Sequence, residues 1–424
     1  MRAPTDTADP RPLILIVGTG QRHYREYLLS SISTEYRVHL FLGAEPTWER
    51  EYATGWTVLP STLEVDVLVS AARELAAREA IDGVLCWDEA RILQTAEVAS
   101  VLGLPGGDPA AVRRCRDKHL TREALASAAV PQPASVLVGS EDDALAAAAW
   151  LGYPVVLKPR ALAASLGVVK ACDADELAER FAFASETTVP EAPSFEQEVL
   201  VEEFAEGNEI SIDCAVHHGQ VTPLFVARKE TGFPPYFEEI GHYVDGDDRW
   251  LTDPQIRQLL VRTHAALGFT DGMTHCEVML TATGPKVIEV NARLGGDLIP
   301  YIGLRATGID PGLIAAAVAC GRAPRVRRQR RLVGAVRFCY GDGISADFDS
   351  GDVAFPPEVD RFEPLVGSHH LSLFPEGTVP GRIAYITALA ASTDDCRHAL
   401  DRATEALDVL PHEPVQAHLT TARG

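Results

Sequence analysis

Short apolar runs alternate with amphipathic stretches over the first hundred residues. Leu13–Val17 (LILIV) is apolar throughout and ends in Gly18-Thr19-Gly20, which predicts a buried parallel strand and a tight turn. Further strands are predicted at 36–42, 56–59 and 83–87, with helices over 65–80 and 89–102. This alternation is that of an open α/β sheet. Residues 110–130 read as one helix or two short ones, stopped by Pro131 and Pro133. A strand at 136–138, an alanine-rich helix at 141–151, a strand at 155–158, a loop at 159–167, a strand at 167–171 and a helix near 174–184 follow. Strands are then expected at 198–204, 209–217 and 220–228, a helix at 254–267, and strands at 273–281 and 286–291. After residue 322 the pattern changes to three β-like runs (332–340, 352–356, 382–391) and one amphipathic helix (394–408), read as a separate small domain.

At 424 residues the chain is too long for one compact core. The expected division is 1–112, 113–204, 205–321 and 322–424. With 46% hydrophobic and 23% charged residues the chain is globular rather than disordered. A net charge of −22 repels polyanions, so nucleic acid is not an expected partner, although a local cluster of cations can still hold phosphates. The basic run 325–331 lacks interleaved aromatics and reads as a solvated linker. Eight cysteines are scattered without a C-x-x-C pair, which points to reduced thiols. The first twelve residues carry no apolar signal core, and the longest apolar stretch, 313–320, is too short to span a bilayer. A cytoplasmic protein with no membrane partner is expected.

The segment Cys276-Glu277-Val278, followed by Ile288-Glu289-Val290-Asn291-Ala292-Arg293, carries the strongest chemical signal. On adjacent strands Glu277 and Glu289 can share a face, and Asn291, two residues on, shares it too. Two carboxylates and an amide oxygen are hard donors suited to Mg²⁺. Arg293 then stands where it can meet a phosphoryl group. The plainer alternative is a solvated polar strand face. Lysines are few, and Lys158 ends an apolar strand (VVLKP) while Lys118 sits in RDKHL. Either alone reads as a surface lysine, but together they fit a nucleotide clamp. The small-residue loop 161–167, with Ser165 and Gly167, lets backbone N–H groups approach phosphates. Glu202, Glu203 and Phe204, with Glu209 beyond, can read a base edge and a ribose, or form an acidic hairpin.

The ordered set RDK, YPVVLKP, LVEEFAEGNEISID, HCEV and IEVNARLGGD resembles the ATP-grasp superfamily of carboxylate–amine ligases, and within it the L-amino acid ligases that make dipeptides. The resemblance covers about residues 10–410. It implies an α/β (α+β) ATP-grasp fold with an N-terminal open sheet, a central lid and a β-rich C-terminal part. It implies ATP as cofactor, bound by Lys118, Lys158, Ser165, Gly167, Glu202, Glu203, Phe204 and Glu209. Two Mg²⁺ ions, for which Mn²⁺ can substitute, would lie on Glu277, Glu289 and Asn291. Arg293 and Lys158 would be catalytic. His275, Arg293, Gly295, Gly296 and Asp297, with Glu239 and His242 from FEEIGHYV as a substrate-facing loop, would meet a carboxylate and an amine, for instance two amino acids joined in specialised metabolism. A homodimer is compatible with it. A bicarbonate- or formate-activating enzyme of the same superfamily, and a non-catalytic nucleotide binder, remain open alternatives. Two departures stand out: the phosphate loop holds Leu166 where relatives carry more glycine, and VDGD follows FEEIGHYV in place of a proline–alanine pair. Gly18-x-Gly20 lacks the third glycine of a dinucleotide site, no G-x-S-x-G elbow is present, His217-His218 is expected at a hairpin end, and His369-His370 in a loop.

Overall fold

The computed structural model describes residues 9–106, 108–162, 165–187, 198–341, 353–365 and 379–407. Strand β1 (Leu13–Val17) is buried along its whole length, as a Leu/Ile/Val run covered on both faces must be. β2 (Arg37–Leu42), β3 (Gly55–Val58) and β4 (Gly83–Leu85) complete a parallel sheet of order β3-β2-β1-β4. Helices α1 (Arg22–Glu35), α2 (Val65–Ala76) and α3 (Ile92–Leu102) flank it.

The 110–130 segment is two helices, α4 (Pro109–Arg116) and α5 (Lys118–Ser127). The break is at Asp117, which is extended and whose carboxylate accepts from the N–H groups of His119 and Leu120. That cap stabilises the start of α5 and sets Lys118 on its first turn. β5 (Ser135–Val138), β6 (Val155–Pro159), β7 (Val169–Ala171) and β8 (Val199–Glu203) form an antiparallel sheet of order β5-β8-β6-β7. It carries α6 (Glu141–Leu151) and α7 (Ala174–Glu186), each capped by a side chain, Ser140 and Asp173.

The third sheet has eight antiparallel strands. β9 (Asn208–His217), β10 (Gln220–Gly232), β11 (Glu238–Asp245), β12 (Gly272–Thr281), β13 (Gly284–Asn291), β14 (Val333–Tyr340), β15 (Val359–Pro364) and β16 (Arg382–Ala390) run in the order β13-β12-β9-β10-β11-β14-β16-β15. Three expectations are corrected here. FEEIGHYV is strand β11, not a loop, because its backbone pairs on both sides, with β10 and β14. Residues after 322 form no separate sheet: β14 continues the same sheet through β11. The β-like run at 352–356 is displaced, since 353–356 lie outside any strand and β15 forms the edge instead. Helices α8 (Pro254–Leu267), α9 (Ile299–Thr307), α10 (Pro311–Ala319) and α11 (Thr393–Ala406) cover the sheet. α10 is the longest apolar stretch, and it is largely buried between α1, β4, β9 and β12. Among the described residues no single helix is long and apolar enough to cross a membrane.

One buried titratable group in this layer gives a stability prediction. His264 on α8 is fully enclosed, with Nδ1 2.7 Å from Leu260 O and Nε2 2.8 Å from Thr274 Oγ1. Those partners fix a neutral ring that donates through Nδ1 and accepts through Nε2. Burial lowers its pKa from 6.5 to about 4. The unfolded chain therefore takes up a proton below pH 6.5 that the native ring refuses until about pH 4, and stability falls as pH drops through that window. The loss from this ring is on the order of 3 kcal/mol. Denaturant melts at pH 7, 5.5 and 4.5 should be steeper in pH for the wild type than for His264→Gln; parallel profiles would refute the assignment.

Candidate active site

A cleft opens between the second and third sheets. β12 and β13 pair in a register that sets Glu277 opposite Glu289 and His275 opposite Asn291. The side chains of each opposed pair leave the same face of the sheet, and all four line the cleft. From the other wall come Lys118 at the start of α5, Lys158 in β6, Ser165 in the loop after it, and Glu202, Glu203 and Phe204 at the end of β8. Glu209, Glu239, Arg293, Gly296 and Asp297 complete the expected residues at the wall.

Three expected residues lie behind that wall. Gly167 has φ +71, and a Cβ there would stand 2.4 Å from Pro159 Cγ, so it shapes the loop from beneath. Gly295 donates its N–H to Asp213, and a Cβ would come 2.8 Å from His275 Nδ1; only glycine fits against that ring. His242 is fully buried, with Nε2 3.1 Å from Glu239 Oε2 and 3.7 Å from Asp297 Oδ2. His369 and His370 lie outside the described residues, and His217 and His218 stand at the β9–β10 turn beside Asp271, as a hairpin end.

The chain has five lysines, and all five belong to this region. Lys118 Nζ donates to Leu162 O and stands 3.3 Å from Glu289 Oε2. Lys158 Nζ is 2.8 Å from Glu202 Oε2, while Arg122 holds the same carboxylate through Nε and Nη2 at 2.6 and 3.0 Å. Lys286 pairs with Glu203 at 2.6 Å, and Lys170 Nζ lies 4.1 Å from the centre of the Phe204 ring. Both carboxylates of the Glu202-Glu203 pair are thus taken by protein cations.

Lys229, which sequence reasoning missed, is the fifth. Its Nζ lies 2.5 Å from Glu209, 3.0 Å from Glu239 and 3.2 Å from Glu277. Its signal was the one that singled out Lys158: a lysine late in an apolar strand, here PLFVARK. Burial pushes Glu209 up to about 7 despite Lys229. Burial also opposes ionisation of Glu277, but Lys229 and His275 outweigh it and hold this carboxyl well below the ordinary range. His275, whose Nδ1 is 2.6 Å from Asp213, is raised to about 9: burial alone would lower it, and Asp213 and Glu277 prevail. Glu89, from the loop after β4, was missed as well. It ion-pairs with Arg293 and lies 3.3 Å from Arg116 Nε, so two cations overcome burial and keep it ionised. No local pattern ties Glu89 to a residue 204 positions away.

A family model described as an ATP-grasp domain matches residues 151–301. The uncharacterized protein y4rH of Sinorhizobium fredii (strain NBRC 101917 / NGR234) is 28% identical over 368 residues, 82% of this chain and 72% of that one. Human carnosine synthase 1 is 31% identical over 266 residues, 58% of this chain and 32% of that protein, so the chain spans about a third of that relative. Among solved structures, the L-amino acid ligase of Bacillus licheniformis superposes with a TM-score of 0.73 over 96% of this chain and 100% of that chain, at 21% identity. That last likeness is one of fold.

Proposed function

We propose, from the match of residues 151–301 to an ATP-grasp domain, that the chain is an ATP-dependent ligase joining the carboxylate of one amino acid to the amine of another. The observation that carries this reading is convergence. Lys118, Lys158, Glu277, Glu289, Asn291 and Arg293 come from four separate elements and the loop after β13, and they line one cleft.

The donor set of Glu277, Glu289 and Asn291 is all hard oxygen and fits Mg²⁺. These residues would hold two ions, which when bound neutralise phosphate charge, and Mn²⁺ would serve in their place. ATP would lie with its base against the backbone of 202–204 and its ribose near Glu209. Lys118 and Lys158 face the phosphates as fixed cations, Lys158 braced by Glu202. A substrate carboxylate oxygen forms a bond to the γ-phosphorus as the bond to the bridging oxygen of ADP breaks. Arg293, oriented by Glu89, then stabilises the acyl phosphate. The amine attacks its carbonyl carbon, phosphate leaves, and the amine loses a proton. Positioning and charge do most of this work, since the protein forms no covalent bond to substrate. The small sheet β5-β8-β6-β7 would act as the lid that excludes water.

Phosphate release from Mg-ATP should rise at least tenfold over background with one or more pairs in a screen of the twenty L-amino acids, with a product of the summed mass less one water by mass spectrometry. Release driven by bicarbonate alone, with no amino-acid response, would overturn the reading.

A further inference from the structure

The turn Gly295–Leu298 puts Gly296 and Asp297 on the cleft wall and leads into α9. Asp297 and Leu298 are consecutive non-glycine residues at φ +46 and +62. Asp tolerates this left-handed region as a single residue but Leu avoids it, so the surroundings must hold the pair there. Leu298 is held by burial in the main core. Asp297 is held by Arg382, the first residue of β16, whose Nη1 and Nη2 meet its two carboxylate oxygens at 2.8 and 3.0 Å. The same guanidinium donates through Nε to Glu238 at 3.0 Å and through Nη2 to Glu239 O at 2.9 Å. Its plane is backed by the Phe338 ring, 3.8 Å away. One fork thus ties the turn after β13 to strand β11, and the cleft residues Glu239 and Asp297 to each other. Lysine has one point of attachment and cannot reproduce this.

We propose that Arg382 is a positioning residue for the amino-acid end of the cleft, so that the polypeptide after residue 322 completes the substrate site of the ligase. Arg382 acts through Asp297 and Glu239. The inference rests on the ligase reading for its kinetic consequence alone; the clamp can be measured without it.

Two measurements on Arg382→Met and Arg382→Lys separate these. Hydrogen exchange should quicken at least tenfold for amides in 295–302 while the parallel sheet β1–β4 exchanges as in the wild type. With the amino-acid pair that gives the wild type its fastest phosphate release, KM for one amino acid should rise at least tenfold and KM for ATP change less than twofold. Arg382→Met combined with Asp297→Asn should be no worse than Asp297→Asn alone. Unchanged exchange at 295–302, equal rises in all KM values, or multiplicative losses in the double variant would overturn the proposal. A wild type silent to every amino acid would overturn the ligase reading instead, and exchange would still decide the clamp.

Discussion

Glu289→Gln is expected to lower amino-acid-dependent ADP formation about 10³-fold, the lower end of what one charge stabiliser supplies at a phosphoryl-transfer site, while melting within a few degrees of the wild type. The substitution keeps the shape and one oxygen of the side chain and removes its charge. Glu289 faces Glu277 across the β12–β13 pair, and Lys118 Nζ stands 3.3 Å from its Oε2. Neither partner depends on Glu289 for the fold, since Lys118 also donates to Leu162 O and Glu277 is paired by Lys229. A coupled ADP assay beside a circular-dichroism melt checks both halves. Turnover within fivefold of the wild type would remove Glu289 from the metal set, and a collapsed melt would make its role structural.

Much of this site was legible because its parts lie on regular elements. Period-two alternation in IEVNAR placed Glu289, Asn291 and Arg293 in one line, and apolar VVL before Lys158 announced a rigidly held amine. What could not be read is long-range. Glu89 reaches Arg293 only because the parallel sheet docks on the third sheet through α10. The segment after 322 looked independent because its strands are local patterns, whereas their pairing partner, β11, lies some ninety residues earlier. FEEIGHYV was mistaken for a loop because its polar Glu239 and His242 face a partly charged interior, where Lys229 and Asp297 compensate them. Hydrophobic periodicity is silent about a strand whose buried residues are ion pairs.

The same compensation predicts the largest stability effect. Glu202→Ala should destabilise the fold by about 3–5 kcal/mol, the range for removing one partner from a buried ion pair. Glu202 is 1% exposed and takes both oxygens to cations, Arg122 through two nitrogens and Lys158 through one. Arg122 in turn donates to Val287 O and Ile288 O, so it joins α5, β8 and β13 around this carboxylate. Alanine would leave two buried cations without a counter-charge and free Lys158 from its brace. Burial alone would raise the Glu202 pKa, yet Arg122 and Lys158 reverse that and hold it far below its ordinary 4.5. A depressed carboxyl contributes stability that is complete above about pH 4.5 and fades as pH falls below it. Denaturant melts at pH 7 should therefore show the full loss in Glu202→Ala, and the difference from the wild type should shrink as the buffer is taken from pH 4.5 toward pH 3. A loss under 1 kcal/mol at pH 7, or one that persists undiminished in acid, would mean that water or another anion already serves these cations and that Glu202 is not what fixes Lys158.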